Sequence, residues 1–418
     1  MSEELLEIQR QQFSEQAIAE QRLLAFLRGR GHEDIVALTL NPKPESLNSV
    51  NGFVTLASGE RLFFKSHTEE SEQLESYYDE RSLADAGYPV VSPKRIRTAP
   101  GEQMAFYEVI SFPTLFDLVK ESEDRTNGLQ QLEEVLCSQE RFDEALLQAY
   151  LRTAEPLSLA ENQRAPIHQL FSHRLAESGR WGTFYRNARC EVGSELLSFE
   201  ELASCRWRIN GVEYTETLAE IAARSRNQLA PKAEPLSVVG HGDSHNGNLF
   251  YDPAGKQLLL FDPAFAGRHH PLLDLVKPLF HNVFARWMYF PEEVDRGLQL
   301  SVRRGAGVLE IEHSFVVSPI RERILRSKVE RTLRPLLHTL RSRKLLAEDW
   351  REFLLSGLFC CPSLTVNLVL PRASRGTLGE RYSPAIRALA WSLCIEVGAN
   401  SSRGTNHIRS LISEILDA

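Results

Sequence analysis

The sequence predicts an α+β chain, with a small antiparallel sheet near the N-terminus and a larger, mainly helical part after it. Three observations predict this. Short apolar runs separated by turn residues crowd residues 35–110. Helical periodicity takes over after Pro113. Strand-and-turn signals then return around residues 237–262.

Residues 3–30 read as one helix, with Leu5, Leu6, Ile8, Phe13, Ile18, Leu23, Leu24 and Phe26 at three- and four-residue spacing and Gly29 and Gly31 at its end. Ile35–Leu40, Phe53–Ala57 and Arg61–Ser66 are β-type runs, and Ser58-Gly59-Glu60 joins the last two as a hairpin turn. Glu69 to Ala86 is helical and charged, and Gly87-Tyr88-Pro89 stops it. Lys94–Thr98 and Met104–Ile110 are two further strands, joined by Ala99-Pro100-Gly101-Glu102. The order over 35–110 is therefore β-β-β-α-β-β. This divides the chain into an N-terminal helical extension (1–34), a sheet-bearing lobe (35–110) and a mainly helical lobe (111–418). Within the last, Asn248–Tyr251 and Leu258–Asp262 flank Asp252-Pro253-Ala254-Gly255-Lys256 as a hairpin, and a mainly helical pattern is expected from Pro271 to the C-terminus.

Composition excludes several classes. The chain has 418 residues, 42% hydrophobic, so it can bury a large core without metal or disulfide staples. A net charge of −8 argues against a nucleic-acid partner. No run of about 18 apolar residues is present, so no membrane span is expected. Glu3 and Glu4 stand where a signal peptide would carry Lys or Arg, so the expected location is cytoplasmic. Six cysteines without CxxC spacing read as buried, reduced thiols. Residues 117–144 are acidic and residues 321–344 basic. Each is expected to be a solvated helix face. The acidic stretch would otherwise suit a cationic ligand, and the basic stretch an anionic one.

The chemistry concentrates in His241-Gly242-Asp243-Ser244-His245-Asn246-Gly247-Asn248, followed by Asp262. Asp243 and Asn248 lie on a polar loop between apolar runs, and Asp262 ends the next hairpin. A loop leaving one strand can meet the end of a neighbouring strand. Phosphoryl transfer needs such a set: a carboxylate for the attacking hydroxyl, and hard oxygen ligands for Mg²⁺ on the phosphates. The spacing from Asp243 to Asn248 matches that of H-R-D-x-x-x-x-N in protein kinases. Far upstream, Lys65 interrupts the apolar strand Leu62-Phe63-Phe64, a costly place for an ammonium unless it meets anions.

His241-Gly242-Asp243-x₄-Asn248 with Asp262, and Asp274 in Pro271-Leu272-Leu273-Asp274, resembles the aminoglycoside phosphotransferase/choline kinase family. These are small-molecule kinases with a protein-kinase-like, bilobal fold. The resemblance implies a catalytic loop over 241–262 with Asp243 as the catalytic aspartate. Asn248 and Asp262 would ligate Mg²⁺, while His241 and Asp274 would support the loop. Lys65 would hold the phosphates of ATP or GTP and pair with Glu80, or less well with Glu75. Ser49 and Asn51 would belong to a phosphate loop that lacks GxGxxG. Glu108 and Ile110 would flank a hinge that reads the adenine edge. The implied activity is transfer of the γ-phosphate to a hydroxyl of a sugar, amino alcohol, aminoglycoside or other small molecule. His245, His269 and His270 are candidates for substrate contact, as are Arg180, Trp181 and Asn367. Gly242 stands where protein kinases place Arg, and no A-P-E segment follows, which argues against a protein kinase. A nucleotide-binding scaffold is the other alternative, and it has no chemical need for the full Lys, Asp, Asn, Asp set.

Overall fold

Period-two alternation lays out the N-terminal sheet. The computed structural model describes residues 3–42, 49–67, 80–97, 102–125, 132–369 and 382–418. Strands β1 (Ile35–Leu40), β2 (Ser49–Leu56), β3 (Arg61–His67), β4 (Arg95–Arg97) and β5 (Met104–Glu108) form one antiparallel sheet in the order β1-β2-β3-β5-β4. Alternation along β3 sends Leu62 and Phe64 to one face and Phe63 and Lys65 to the other. The first face, with Val50, Val54, Met104 and Phe106, shares a core with Leu5, Ile8, Leu23 and Phe26 of helices α1 (Glu3–Gln11) and α2 (Gln16–Arg28). The single helix expected over 3–30 is thus two. The break lets each segment lay its own apolar side on the sheet. Phe13 and Ile18, which fit the helical spacing, are 50% and 49% exposed. Of the helix expected over 69–86, the described part is α3 (Glu80–Asp85), and Gly87 ends it at φ +83°.

The second lobe is mainly helical, as expected. Helices Glu133–Thr153, Pro271–His281, Trp350–Leu364 and Pro384–Gly398 each contribute to its core. The mainly helical stretch after Pro271 also carries strands. Leu300–Arg304 and Val308–His313 form a hairpin, and a mixed five-stranded sheet adds Arg206–Ile209, Val212–Tyr214 and Ser402–Arg403. Its signal is short but present: Leu309, Ile311 and His313 are buried in alternation with Glu310 and Glu312, after a turn at Gly305 and Gly307.

Residues 88–91 and 113 clasp the hairpin formed by Leu249–Asp252 and Gln257–Leu260. Val91 N donates to Leu260 O (2.7 Å), Leu260 N to Pro89 O (2.7 Å) and Tyr251 N to Pro113 O (2.9 Å). Tyr88 Oη donates to Val239 O at 2.8 Å. The sheet lobe is thereby fixed to the strand that carries the catalytic-loop motif.

Most charged side chains of the two stretches are exposed, as expected of solvated faces, but several members meet across the lobe. They pair with each other: Glu123 with Arg321 (2.8 Å), Glu133 and Glu140 with Arg323 (3.1 Å each), Glu144 with Arg331 (3.0 Å), and Asp143 with Lys328. Arg321 and Lys328 are each 3% exposed, so these pairs join two helical segments inside the lobe. Among the described residues no helix is long and apolar enough to cross a membrane.

Candidate active site

The strand Glu234–Gly240 runs into the polar loop, and two glycines let it do so. A Cβ on Gly240 would sit 2.5 Å from His269 Nε2 and 2.7 Å from Asp274 Cγ. Gly242 has φ +80°, and a Cβ there would lie 2.6 Å from Phe265 O. Asp274, fully buried on the helix Pro271–His281, ties the turn down. Its Oδ1 accepts from Gly242 N (2.6 Å) and lies 3.0 Å from His269 Nε2, while Tyr150 Oη donates to Oδ2. Burial opposes the Asp274 charge, but His269, Tyr150 and Gly242 outweigh it and hold the carboxyl below its ordinary value. His241 Nδ1 accepts from Asp243 N at 3.3 Å, and its Nε2 lies 3.0 Å from Phe261 O. One neutral tautomer satisfies both contacts, with Nε2–H as donor.

Asn248 closes the loop by donating from Nδ2 to Asp243 O at 2.9 Å. Its Oδ1 lies 3.4 Å from Lys65 Nζ. Lys65 reaches across from the second face of the sheet to Asp262 Oδ2 at 2.5 Å, with its ammonium 5.3 Å from the Phe261 ring centre. Asp262 itself holds φ +62°, a region disfavoured for side chains other than Asn and Asp. Of these groups, Lys65, Asn248 and Phe261 line an open cleft. The sheet side supplies Asn51, Phe53, Phe63 and Tyr107, the segment Glu108–Ile110 forms an edge, and Gly247, Asn248 and Phe250 form the opposite wall.

Asp243, whose carbonyl holds the cleft-lining Asn248, has its side chain 17% exposed. Its Oδ1 is buried with no hydrogen bond among the described residues. Lys277 Nζ lies 3.7 Å from Oδ1, and His245 Nε2 lies 3.8 Å from Oδ2. Burial works to raise the Asp243 carboxyl, but Lys277 first, then His245, His241 and Lys65 bring it below its ordinary value. Burial pushes His245 down to about 4, so at neutral pH an ionised carboxylate faces a neutral imidazole.

The structure therefore brings Lys65, Asn51, Glu108, Ile110, His241, Asp243, His245, Asn248, Asp262 and Asp274 into one region. It does not bring His269 or His270 to Asp243. His269 is fully buried against Asp274, and His270 caps the next helix through Leu272 N (3.2 Å) with its ring against Phe353. Arg180 donates to Leu364 O and Thr365 O, and Trp181 is buried among aromatic rings. Asn367 Oδ1 accepts from Val369 N, a local turn contact. The side chains of Ser49, Glu75 and Glu80 lie outside the described residues. Sequence reasoning missed Tyr150 and Lys277. Tyr150 carries no local signal. Lys277 carries the one that Lys65 carries, a lone ammonium inside an apolar element.

The donor set fits Mg²⁺. Asp262 and Asn248 present a carboxylate and an amide oxygen that already hold a cation, the Lys65 ammonium. Among the described residues no three His, Cys, Asp or Glu side chains converge as a metal cage. Mg²⁺ commonly takes one or two carboxylates and completes its shell with water and phosphate oxygens.

A small sheet lobe clasped to a helical lobe, with Lys, Asn and two Asp gathered beside the cleft, defines a phosphotransferase of the protein-kinase-like class. Residues 47–309 match the model of the phosphotransferase enzyme family (APH), and the chain belongs to that family. It is an enzyme whose acceptor is a hydroxyl of a small molecule. Among solved structures it is similar to the macrolide 2'-phosphotransferase MphH from Brachybacterium faecium, at 14% identity over 90% of this chain and 98% of that one, TM-score 0.34. It is also similar to an ethanolamine kinase from Plasmodium vivax, at 10% identity over 95% and 88%, TM-score 0.37. A glucosamine kinase gives 13% identity over 86% and 92%, TM-score 0.37. At such scores the likeness carries no weight for the site. No curated protein matches the sequence.

Proposed function

We propose that this chain transfers the γ-phosphoryl group of ATP or GTP to a small-molecule hydroxyl, with Asp243 as the proton acceptor. The observation that supports this most is the linkage of Lys65, Asp262, Asn248 and Asp243 across the two lobes, with Lys65 and Asn248 lining one cleft. Lys65 pairs with the nucleotide phosphates, and the backbone of 108–110 faces the adenine edge. Bound Mg²⁺ supplies charge neutralisation on the phosphates, and Asn248 Oδ1 and the Asp262 carboxylate are the groups that would hold it. Asp243 orients the acceptor hydroxyl. The acceptor oxygen bonds to the γ-phosphorus, the bond to the β,γ-bridging oxygen breaks, the nucleoside diphosphate leaves, and the hydroxyl proton passes to Asp243. In a loose transition state that proton moves late, so a carboxylate with a lowered pKa suffices, and it is ionised at pH 7.

The test is nucleotide consumption by purified protein with Mg²⁺ across alcohols, sugars, amino alcohols and aminoglycosides. Asp243→Asn should lower kcat by about 10²–10⁴-fold while leaving nucleotide affinity nearly unchanged. Unchanged turnover in that variant would mean that the carboxylate takes no part in the chemistry.

A further inference from the structure

A second buried cation lies beside Asp243. Lys277 lies on the helix Pro271–His281, three residues past Asp274, with its side chain 6% exposed. Among the described residues, Asp243 is the one acidic group within ion-pair distance, and at 3.7 Å the contact is too long for a hydrogen bond. Both partners fall short of satisfaction, since Asp243 Oδ1 is also without a hydrogen bond. An ammonium this buried costs several kcal/mol unless an anion engages it closely.

The surroundings add positive charge. His281, on the same helix, has its ring 5.7 Å from that of His245, and its Nε2 is buried without a partner among the described residues. Burial first, then Lys277, His245 and Arg174, hold its pKa well below the ordinary value. Its Nδ1 meets the Tyr289 hydroxyl at 2.7 Å, and the charged side chains acting on it are all basic. Of the acidic stretch that could have received an amine, Glu123, Glu133, Glu140, Asp143 and Glu144 are each paired to an Arg or Lys of 321–331, and Asp117 is the member that lines the cleft.

We propose that Lys277 is an acceptor-binding residue, and that the acceptor carries an anionic group, a carboxylate or a phosphate, next to the hydroxyl it presents to Asp243. This rests on the phosphotransfer reading above and adds the charge class of the acceptor. Lys65, paired with Asp262 and Asn248, is the cation that reading gives to the nucleotide phosphates, and Lys277, beside Asp243, is left to the second substrate. An anionic substituent there would meet Lys277 at full hydrogen-bond distance, while the neighbouring hydroxyl would satisfy Asp243 Oδ1. A cationic acceptor would place like charges together in a poorly solvated pocket.

Two matched acceptor sets test this with MgATP: glucose, glucosamine, glucuronate and glucose 6-phosphate, then glycerol, ethanolamine, glycerate and glycerol 3-phosphate. The carboxylate and phosphate members separate the two sources of negative charge. At least one anionic member should show kcat/KM about 10-fold or more above its neutral and cationic counterparts. Lys277→Met should erase that preference, mainly through the acceptor KM, with MgATP affinity within about twofold of wild type. Lys277→Arg should keep part of it. The methionine variant removes a buried charge at nearly constant volume, so its melting temperature reports folding independently. Preference for neutral or amine members overturns the inference. So does a Lys277→Met variant that slows all acceptors alike, which is the behaviour of a mere counter-ion for Asp243. Absence of turnover with all eight compounds in a protein that binds MgATP also overturns it. Failure to bind MgATP at all would instead bring down the phosphotransfer reading itself.

Discussion

The two walls of the cleft hold their charged groups by different means. On the loop wall, Asp243 is positioned by hydrogen bonds among buried groups. His241 takes its N–H, Asn248 takes its carbonyl, and Asp274 ties the turn at Gly242 to Tyr150 and His269. On the sheet wall, Lys65 has one ion pair to Asp262 and one long contact to Asn248. Hydrogen bonds with fixed partners preorganise the base before substrate arrives. An ammonium held by charge alone can change anionic partners at little geometric cost. The comparison separates a wall that fixes geometry from a wall that supplies charge.

The largest expected effect breaks the charge wall. Lys65→Ala should lower kcat/KM for the nucleotide by about 10²–10³-fold, with weaker nucleotide binding by calorimetry. Nucleotide affinity and turnover equal to wild type would remove Lys65 from the site.

The geometry wall should respond differently. Asp274→Asn keeps an acceptor for Gly242 N but mismatches either Tyr150 or His269. It should cost about 1–3 kcal/mol of stability and lower kcat, with nucleotide affinity retained. The sign with pH follows from the lowered Asp274 carboxyl. Its contribution is fully present above the ordinary carboxylate value of about 3.9 and is lost as pH falls through the folded value. Acid unfolding of the variant should therefore show a shallower slope below about pH 4 than wild type. An unchanged melting temperature at pH 7, or a loss of nucleotide affinity as large as for Lys65→Ala, would erase the distinction between the walls.

How much of this was legible depended on whether a signal was local. Asp243, Asn248 and Asp262 could be found because loop spacing and hairpin turns are written in adjacent residues, and Lys65 because an isolated Lys violates an apolar strand. The β2–β3 hairpin of the first lobe followed from turn residues at 58–60. What stayed hidden was long-range. Tyr150 meets Asp274 from a separate helix, across 124 positions of chain. The charge runs 117–144 and 321–344 each look solvated alone, and only the fold sets Glu123 on Arg321 and Asp143 on Lys328. His269 and His270 looked available because they follow the hairpin, yet packing turns one onto Asp274 and uses the other as a helix cap.

The smallest expected effect sharpens the comparison by moving along the loop wall to the start of its strand. Glu234 opens Glu234–Gly240 and is 7% exposed. Burial first, with Asp349 adding to it and Lys232 opposing, raises its carboxyl to about 7. The sign is opposite to that of Asp274. Below about pH 4.3 the folded and unfolded chains both hold this proton, and the group costs nothing. As pH rises to about 7 the unfolded chain releases the proton first, so this group's contribution falls, and above that it is a constant penalty. Gln cannot ionise. Glu234→Gln should therefore match wild type near pH 4 and gain about 1 kcal/mol near pH 8, allowing for partial solvent screening. Its kcat and nucleotide affinity should stay at wild-type values, because Glu234 touches none of the groups that fix Gly242 or Asp243. Melting temperatures at the two pH values, with one turnover measurement at pH 8, decide it. A gain equal at both pH values would show that the carboxyl is not the titrating group. A change in kcat would show that the geometry wall extends along the whole strand rather than ending at the loop.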